Sequence, residues 1–366
     1  MAKISVYIPV YKESRHLEAM LDCLTLDPYT EKEVIVCIDE PTEESRSLIE
    51  AYPGIIFRLS AERLGKVSVL NAAVTETTGE YLLFLDSDLE IRINNLLERV
   101  ANELDKHELV ELKKQIIRDS PISRIVSYDY LSQNFTSYLF ARYLHRCLGI
   151  NGAAFAVRRS VFLELTGFGH EICEDLDIAI RSFKVGVDFG YSEDAAVWNS
   201  VDPSLRIWLK QRRRWGIGLG NWLRDNWRLL TSVSIRNPKI MLPTLFILFP
   251  SLTIILQLFF LPSPFSLRVI TVTLLLLSSW ANIFATPTLI IGLGIVAVYA
   301  LLLTVFFLCI YACVFYYFAR RLRFAFNILE FSVYFLIYNP FWLLITVATL
   351  FRVLVWRGDP KLDWKI

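Results

Sequence analysis

The first ninety residues alternate between short apolar runs and segments with the spacing of amphipathic helices. The predicted strands are 4–8, 33–38, 55–59 and 81–85, and the predicted helices are 13–25, 42–51 and 66–75. Strands that alternate with helices predict a mostly parallel sheet covered on both faces. Ligands bind beyond the carboxyl ends of the strands in such sheets. Asp39 and Asp86 each follow a predicted strand at that edge.

Two later segments are rich in charge but differ in pattern. Residues 94–119 mix both signs of charge, which is typical of a solvated helical face. From Arg206 to Lys239 there are nine basic residues and one acidic residue, with four tryptophans at positions 208, 215, 222 and 227. Basic residues interleaved with tryptophan predict helices that lie in a membrane interface.

Three runs without charge follow, at 241–267 (27 residues), 269–319 (51 residues) and 331–351 (21 residues). A membrane-spanning helix needs about 20 apolar residues. The middle run would be about 75 Å long as one helix, so we expect a break at Ala285-Thr286-Pro287. This pattern predicts four spans, with three as the alternative. The basic stretch before the first run places that side in the cytoplasm.

Composition agrees with a chain of two kinds of region. The chain is 54% hydrophobic, yet residues 1–240 hold 30 of its 38 basic and 34 of its 37 acidic residues. A net charge of +1 gives no reason to expect nucleic acid as a partner. Six cysteines without a C-x-x-C pair indicate reduced thiols rather than disulfides or a zinc site.

Asp86-Ser87-Asp88 is the first candidate for chemistry. Two carboxylates at this spacing can share a divalent cation with a diphosphate, and Mg²⁺ or Mn²⁺ favours such oxygen ligands. The same three residues are also common in a tight turn or a helix N-cap. Both interpretations stay open at this point.

Two further motifs lie downstream. Glu174-Asp175 could cap a helix, or could supply the base that a sugar hydroxyl needs before it attacks. In Gln211-Arg212-Arg213-Arg214-Trp215, basic groups could hold a pyrophosphate and Trp215 could face a sugar ring. The alternative for this motif is an anchor in the membrane interface.

Together these motifs resemble the membrane-bound branch of the inverting family-two glycosyltransferases, which includes hyaluronan, cellulose and chitin-oligosaccharide synthases and ceramide glucosyltransferases. That branch carries an early Asp, then D-x-D, [ST]-E-D and Q-x-x-R-W. This chain shows the corresponding residues in that order: Asp39, Asp86-Ser87-Asp88, Glu174-Asp175 and Gln211 to Trp215. The opening Ile8 to Glu13 and the segment Gly65 to Asn71 are similar as well. The resemblance covers residues 4–230 specifically.

The resemblance implies a Rossmann-like GT-A fold and a nucleotide-sugar donor, most simply a UDP-sugar. It implies Asp175, with Glu174, as the catalytic pair, Trp215 under the acceptor sugar, and Asp88 and Asp86 as ligands of Mg²⁺ or Mn²⁺. The nucleotide-sugar-binding residues that it implies are Pro9, Tyr11, Glu13, Asp39, Lys66, Asp86, Ser87, Gln211 and Arg214. Asp39 would contact the base or ribose.

Three departures from the family pattern matter. Cys173 precedes Glu-Asp in place of Ser or Thr, Lys12 stands where asparagine is common, and Asp39-Glu40-Pro41 replaces Asp-Asp-Gly. No apolar run precedes the first strand, unlike hyaluronan and cellulose synthases. Cys173 is expected to affect packing more than chemistry, and Asp39-Glu40-Pro41 leaves the preference for a nucleotide base open.

We therefore expect a GT-A catalytic domain over 1–205, interfacial helices over 206–239 and a transmembrane region with a short tail over 240–366. The expected partners are a nucleotide-sugar, a glycan or lipid acceptor, and membrane lipids, with the catalytic domain on the cytoplasmic side. Polymer synthesis and transfer of a single sugar to a lipid both remain open. A non-catalytic scaffold that keeps the fold, and a transporter, are the alternatives from other classes.

Overall fold

The computed structural model describes residues 1–260, five positions between 272 and 280, and residues 285–355. Their strands are β1 (Ile4–Tyr11), β2 (Lys32–Asp39), β3 (Ile56–Ser60), β4 (Tyr81–Leu85), β5 (Leu89–Ile91), β6 (Leu109–Ile116), β7 (Ala154–Arg158) and β8 (Phe189–Asn199). The helices before residue 240 are α1 (Leu17–Leu26), α2 (Glu43–Ala51), α3 (Lys66–Thr75), α4 (Leu96–Leu104), α5 (Pro121–Tyr143), α6 (Arg159–Glu164), α7 (Glu174–Val185) and α8 (Leu205–Arg236). The later helices are α9 (Pro238–Leu248), α10 (Leu252–Phe260), α11 (Ala285–Leu322), α12 (Ile328–Val333), a π-helix (Tyr334–Tyr338) and α13 (Asn339–Val355).

The described strands form one sheet in the order β3-β2-β1-β4-β7-β6-β8-β5. Strands β1 to β4 are parallel to one another, as the alternating pattern predicts. The second half is mixed, because β7 runs antiparallel to both β4 and β6. Alternate residues of β4 enter two separate apolar cores, with Leu83 and Leu85 on one side and Leu82 and Phe84 on the other. The unbroken apolar run of this strand follows from burial on both faces.

The prediction of a solvated helical face over 94–119 is wrong in its second half. Strand β6 lies inside the sheet between β7 and β8. Its charged residues are buried: Glu111 and Lys114 are each 1% exposed. Their side chains form an ion pair of 2.7 Å, so each buried charge is balanced by the other.

The chain divides into two compact units. One comprises Met1–Leu242 with the described residues from Leu344 onward, and the other is Pro243–Leu343. Within the first unit, α8 meets the end of α13 through two small residues. A Cβ on Gly216 would collide with Thr349, and one on Gly220 would press on Val353. Glycine therefore permits the close approach of these two helices.

The described residues contain two helices long and apolar enough to cross a membrane, Ala297–Leu322 and Ile328–Val355. The expected count of four is not supported. The first expected span, 241–267, is broken at Phe249-Pro250-Ser251 into α9 and α10, because proline cannot donate the next helical hydrogen bond. Most of 269–284 and the tail 356–366 lie outside the described residues.

Polar side chains in the second unit bind to one another. Asn339 is fully buried and accepts hydrogen bonds from the backbone N–H of Ser251 (3.0 Å) and from its hydroxyl (2.6 Å). Gln257 accepts one from the hydroxyl of Thr304 (3.0 Å). These contacts join helices in the way that polar residues do in apolar surroundings.

Candidate active site

The turn that begins α3 contacts the carboxyl end of β2. Asp39, the last residue of β2, is 5% exposed, and its Oδ2 accepts a hydrogen bond from the backbone N–H of Gly65 (2.7 Å). Gly65 has a φ of +87°, in the left-handed region that glycine adopts most easily. Oδ1 of Asp39 is also buried and has no hydrogen-bond partner among the described residues. This carboxylate thus keeps one acceptor free.

The next residue, Lys66, joins two of the predicted motifs. Its ammonium lies 2.7 Å from Oδ1 of Asp86 and 2.8 Å from Oε1 of Glu174. Burial alone would lower the pKa of Lys66, but the two carboxylates outweigh it and raise that pKa. Burial would likewise raise the pKa of Glu174, but the charge and hydrogen bond of Lys66, helped by Arg214, lower it. Glu174 thus pairs with Lys66, and its lowered pKa makes it a weaker base than an ordinary glutamate.

Asp175 is the neighbouring carboxylate, in the first turn of α7. Its Oδ2 accepts a hydrogen bond from the backbone N–H of Gly152 (2.9 Å), and its Oδ1 accepts one from the N–H of Leu176 (2.8 Å). Burial, and next the negative charge of Glu174, raise the pKa of Asp175 to about 6. A carboxylate with this pKa is ionised at neutral pH yet more basic than usual, which suits a general base.

Asp86 and Asp88 lie just beyond β4. The backbone N–H of Asp86 donates to the carbonyl of Ala153 (2.8 Å), which fixes the start of the turn. The surrounding protein desolvates the Asp88 carboxylate and Asp86 adds a second negative charge, so the pKa of Asp88 is raised to about 7. No group of three His, Cys, Asp or Glu side chains suited to a metal occurs in the described part of the chain. Two carboxylates that repel each other fit a cation such as Mg²⁺ or Mn²⁺, which takes its remaining ligands from phosphate and water.

The other residues expected to bind the nucleotide lie around the amino-terminal half of the sheet. The hydroxyl of Tyr11 donates a hydrogen bond to Glu40 (3.0 Å), and the guanidinium of Arg63 lies 3.9 Å from the centre of the Tyr11 ring. Oε2 of Glu13 accepts from the hydroxyl of Thr42 (2.8 Å). Pro9 lies inside β1 opposite Cys37, and the carbonyl of Ser87 accepts from the hydroxyl of Ser14. The structure connects these four residues to the strand ends but not directly to Asp175.

The Gln-Arg-Arg-Arg-Trp motif lies on α8, where its residues face in different directions. Gln211 and Arg214 are exposed, whereas Arg212 is 1% exposed and pairs with Asp129 of α5 at 2.6 Å. The Arg212 guanidinium also lies 4.5 Å from the ring centre of Trp215. Sequence reasoning assigned no role to Arg212, yet this residue ties the motif to the sheet domain and faces the Trp215 ring.

The basic, tryptophan-rich stretch is thus only partly available to a membrane interface. Trp208 is buried, Trp215 and Trp222 are half-buried, and Trp227 is exposed. The six cysteines, all of which are among the described residues, are free, as expected.

The raised pKa of Asp175 predicts a pH dependence. A base works only when it is deprotonated, so kcat/KM should fall about tenfold per pH unit below pH 6 and be level above it. The measurement is initial rate against pH at saturating Mn²⁺, since bound metal keeps the Asp88 carboxylate deprotonated. A level profile down to pH 5 in folded protein would contradict Asp175 as the base.

The site geometry can now be compared with known proteins. Residues 5–166 match the family model described as "Glycosyl transferase family 2". This region, which is less than half of the chain, is similar to a family 2 glycosyltransferase domain. The domain begins in β1 and ends just after α6, so it includes Asp39, Lys66 and the Asp86-Ser87-Asp88 turn.

Two curated glycosyltransferases are similar to parts of this chain. The chain is 27% identical over 200 residues to the amylovoran biosynthesis glycosyltransferase AmsB of Erwinia amylovora, covering 50% of this chain and 65% of that protein. It is 30% identical over 113 residues to the poly(ribitol-phosphate) β-N-acetylglucosaminyltransferase TarS of Staphylococcus aureus, covering 29% of this chain and 20% of that protein. The chain thus spans less than two thirds of either relative.

One solved structure matches nearly the whole chain. It is the mannosyltransferase PcManGT from Pyrobaculum calidifontis in complex with GDP-Man and Mn²⁺, with a TM-score of 0.53 and 18% identity over 92% of this chain and 87% of that one. At this identity the match shows the fold, which is GT-A.

Proposed function

We propose that this chain transfers a sugar from a nucleoside-diphosphate sugar to a hydroxyl of a glycan or lipid acceptor at a membrane, inverting the anomeric centre. The observation that carries this proposal is the bridge of Lys66 between Asp86 and Glu174. Through Lys66, Asp86 of the candidate donor site is connected to Glu174, which is next to the candidate base Asp175. A scaffold without catalysis would not need charged groups of this kind held together.

Each residue in the site has a role in one displacement. Asp175 takes the proton of the acceptor hydroxyl, and the acceptor oxygen then bonds to the anomeric carbon on the side opposite the diphosphate. The bond from that carbon to the phosphate oxygen breaks, and the nucleoside diphosphate leaves. Gln211 and Arg214 hold the diphosphate, and Trp215, faced by Arg212, packs against the acceptor sugar.

The donor is a UDP-sugar in this proposal because of the geometry of Asp39. One of its oxygens already accepts from Gly65, and the other has no hydrogen-bond partner among the described residues. Uracil presents one N–H between two carbonyls, which matches one free oxygen. Guanine presents two adjacent donors, which would require both oxygens of a carboxylate. Tyr11, Glu13 and Lys66 would complete the nucleotide site.

A divalent cation belongs to this proposal. Asp86 and Asp88 would hold it, and when bound it would neutralise charge that develops on the departing diphosphate. The raised pKa of Asp88, which reflects desolvation and repulsion by Asp86, supports a cation at this position.

We also propose the domain order expected from the sequence, with catalysis over 1–205, the interfacial stretch over 206–239 and membrane insertion within 240–366. Two long apolar helices and the exposed Trp227 among basic residues support membrane association. The positive stretch would keep the catalytic domain on the cytoplasmic side. This placement favours an acceptor presented at the membrane surface.

The test is a screen of UDP- and GDP-sugars with purified full-length protein in detergent, with and without Mn²⁺. We expect metal-dependent release of UDP from one UDP-sugar, increased by the correct acceptor. Release of GDP alone would refute the argument from Asp39, and no release from any donor would refute the activity. With a radiolabelled donor, a ladder of products would indicate polymer synthesis and a single glycolipid would indicate one transfer.

A further inference from the structure

A four-residue turn, Asn151 to Ala154, connects the two sides of the site. The carbonyl of Ala153 accepts from the backbone N–H of Asp86 (2.8 Å), and the N–H of Gly152 donates to Oδ2 of Asp175 (2.9 Å). A Cβ on Gly152 would lie 2.8 Å from the Asp175 side chain, so only glycine allows this approach. The position of the turn therefore sets the position of the candidate base relative to the donor carboxylate.

The side chain of Lys114, from the buried strand β6, holds both ends of this turn. Its ammonium donates to the carbonyls of Asn151 (3.1 Å) and Ala154 (3.2 Å). Its third acceptor is Oε1 of Glu111 at 2.7 Å. An ammonium has three donors, and all three are used here. The hydroxyl of Ser137 in turn donates to the other Glu111 oxygen (2.8 Å).

The buried Glu111–Lys114 pair has a free-energy cost of desolvation that an apolar pair at the same positions of β6 would not have. Two charges with side chains 1% exposed lose their hydration, and apolar residues of the same size would often stabilise a fold equally well. What an apolar pair could not supply is a fixed, directional hold on two carbonyls of one turn. The charge of Lys114 is also close enough to Asp175 and Asp86 to interact with both.

We propose that Lys114 is a positioning residue, which holds the 151–154 turn so that Asp175 is aligned with the anomeric carbon of the donor. This inference rests on the proposed function. Asp86 is held in place by a second contact besides the 151–154 turn, because Lys66 binds its carboxylate directly. Loss of Lys114 should therefore disturb the alignment of the base more than it disturbs nucleotide affinity.

The test is the double variant Lys114→Met with Glu111→Gln, in full-length protein. Methionine has a similar length without charge, and glutamine keeps an acceptor for Ser137 and avoids a lone buried carboxylate. We expect kcat to fall about 10²-fold, the typical effect of misplacing a reacting group by about 1 Å. The Kd for UDP, measured by calorimetry with Mn²⁺, should change less than about threefold, a split that a general loss of folding would not produce.

Ser137→Ala is the matched control, because it alters the same buried cluster without touching the turn, and it should keep kcat within about twofold of the wild type. If the double variant does not fold, Lys114→Leu with Glu111→Leu replaces it, since an apolar pair leaves no buried charge and also removes the hold on the turn, so the same fall in kcat is expected. An unchanged kcat in the folded variant, or equal losses of kcat and UDP affinity, would overturn the proposal. Failure of the wild type to release UDP would instead count against the proposed function.

Discussion

Replacing Asp175 with asparagine is expected to lower kcat by about 10²-fold to 10⁴-fold, the usual contribution of a general base. Asparagine has the same shape, and its one oxygen can still accept from the N–H of Gly152, although not from that of Leu176 as well, so the turn should keep its position. It cannot take a proton from the acceptor hydroxyl. The Kd for UDP should stay near the wild-type value, because neither side-chain oxygen of Asp175 bonds to Asp39, Lys66 or Asp86. Single-turnover transfer and calorimetry measure the two effects separately.

Asp177→Asn provides the matched control for this experiment. Asp177 lies in the first turn of the same helix, but its carboxylate pairs with Arg181 at 2.7 Å instead of contacting Gly152. Its loss should leave kcat close to the wild-type value. Wild-type transfer by the Asp175→Asn protein would show that another group removes the proton.

Replacing Asp88 with asparagine is expected to lower kcat/KM by about 10²-fold to 10³-fold at a fixed, low Mn²⁺ concentration. This loss corresponds to the several kcal/mol that a metal contributes to charge stabilisation, at about 1.4 kcal/mol for each factor of ten. An amide still offers an oxygen but carries no charge, so the variant should need more metal. Rate measured against Mn²⁺ concentration should therefore show a much higher half-saturation point, with part of the lost rate recovered at high metal.

The control is Asp194→Asn, which neutralises an exposed carboxylate of β8. The backbone carbonyl of Asp194, which this change does not alter, accepts a hydrogen bond from Arg99 (2.9 Å). This variant should have the metal dependence of the wild type. An Asp88→Asn protein with an unchanged rate and an unchanged half-saturation point would remove Asp88 from the metal site. Asp86 and the diphosphate would then have to hold the cation without it.

The local pattern of apolar and polar residues was sufficient to predict the strands and helices of the first half of the sheet. Strand β4 coincides with the predicted 81–85, and α3 coincides with 66–75. Both boundaries are marked locally, by an apolar run that ends on Asp86 and by the Gly65-Lys66 pair. The prediction that Asp39 and Asp86 share one sheet edge is confirmed, because parallel strands with short connections leave their carboxyl ends together.

The sequence pattern gave wrong predictions where charged residues are buried in the folded protein. Glu111 and Lys114 predict a solvated segment when they are read alone, but they satisfy each other and Lys114 binds carbonyls beyond residue 150. Similarly, nothing local distinguishes the three arginines of 212–214. In the folded protein Arg212 is the buried one, and it pairs with Asp129, which is distant in sequence. The apolar run 241–267 was long enough for one span, yet Pro250 interrupts it.

The sequence by itself determined where the strands and helices of the first βα units lie, the carboxylates at their ends and the order of the motifs, because each depends on short-range pattern and backbone chemistry. The tertiary structure decided how these residues combine. It joined Asp86 to Glu174 through Lys66, left one oxygen of Asp39 free and placed Lys114 against the turn that holds Asp175. These relations depend on distances between residues far apart in the chain, which are fixed only when the sheet buries both of its faces.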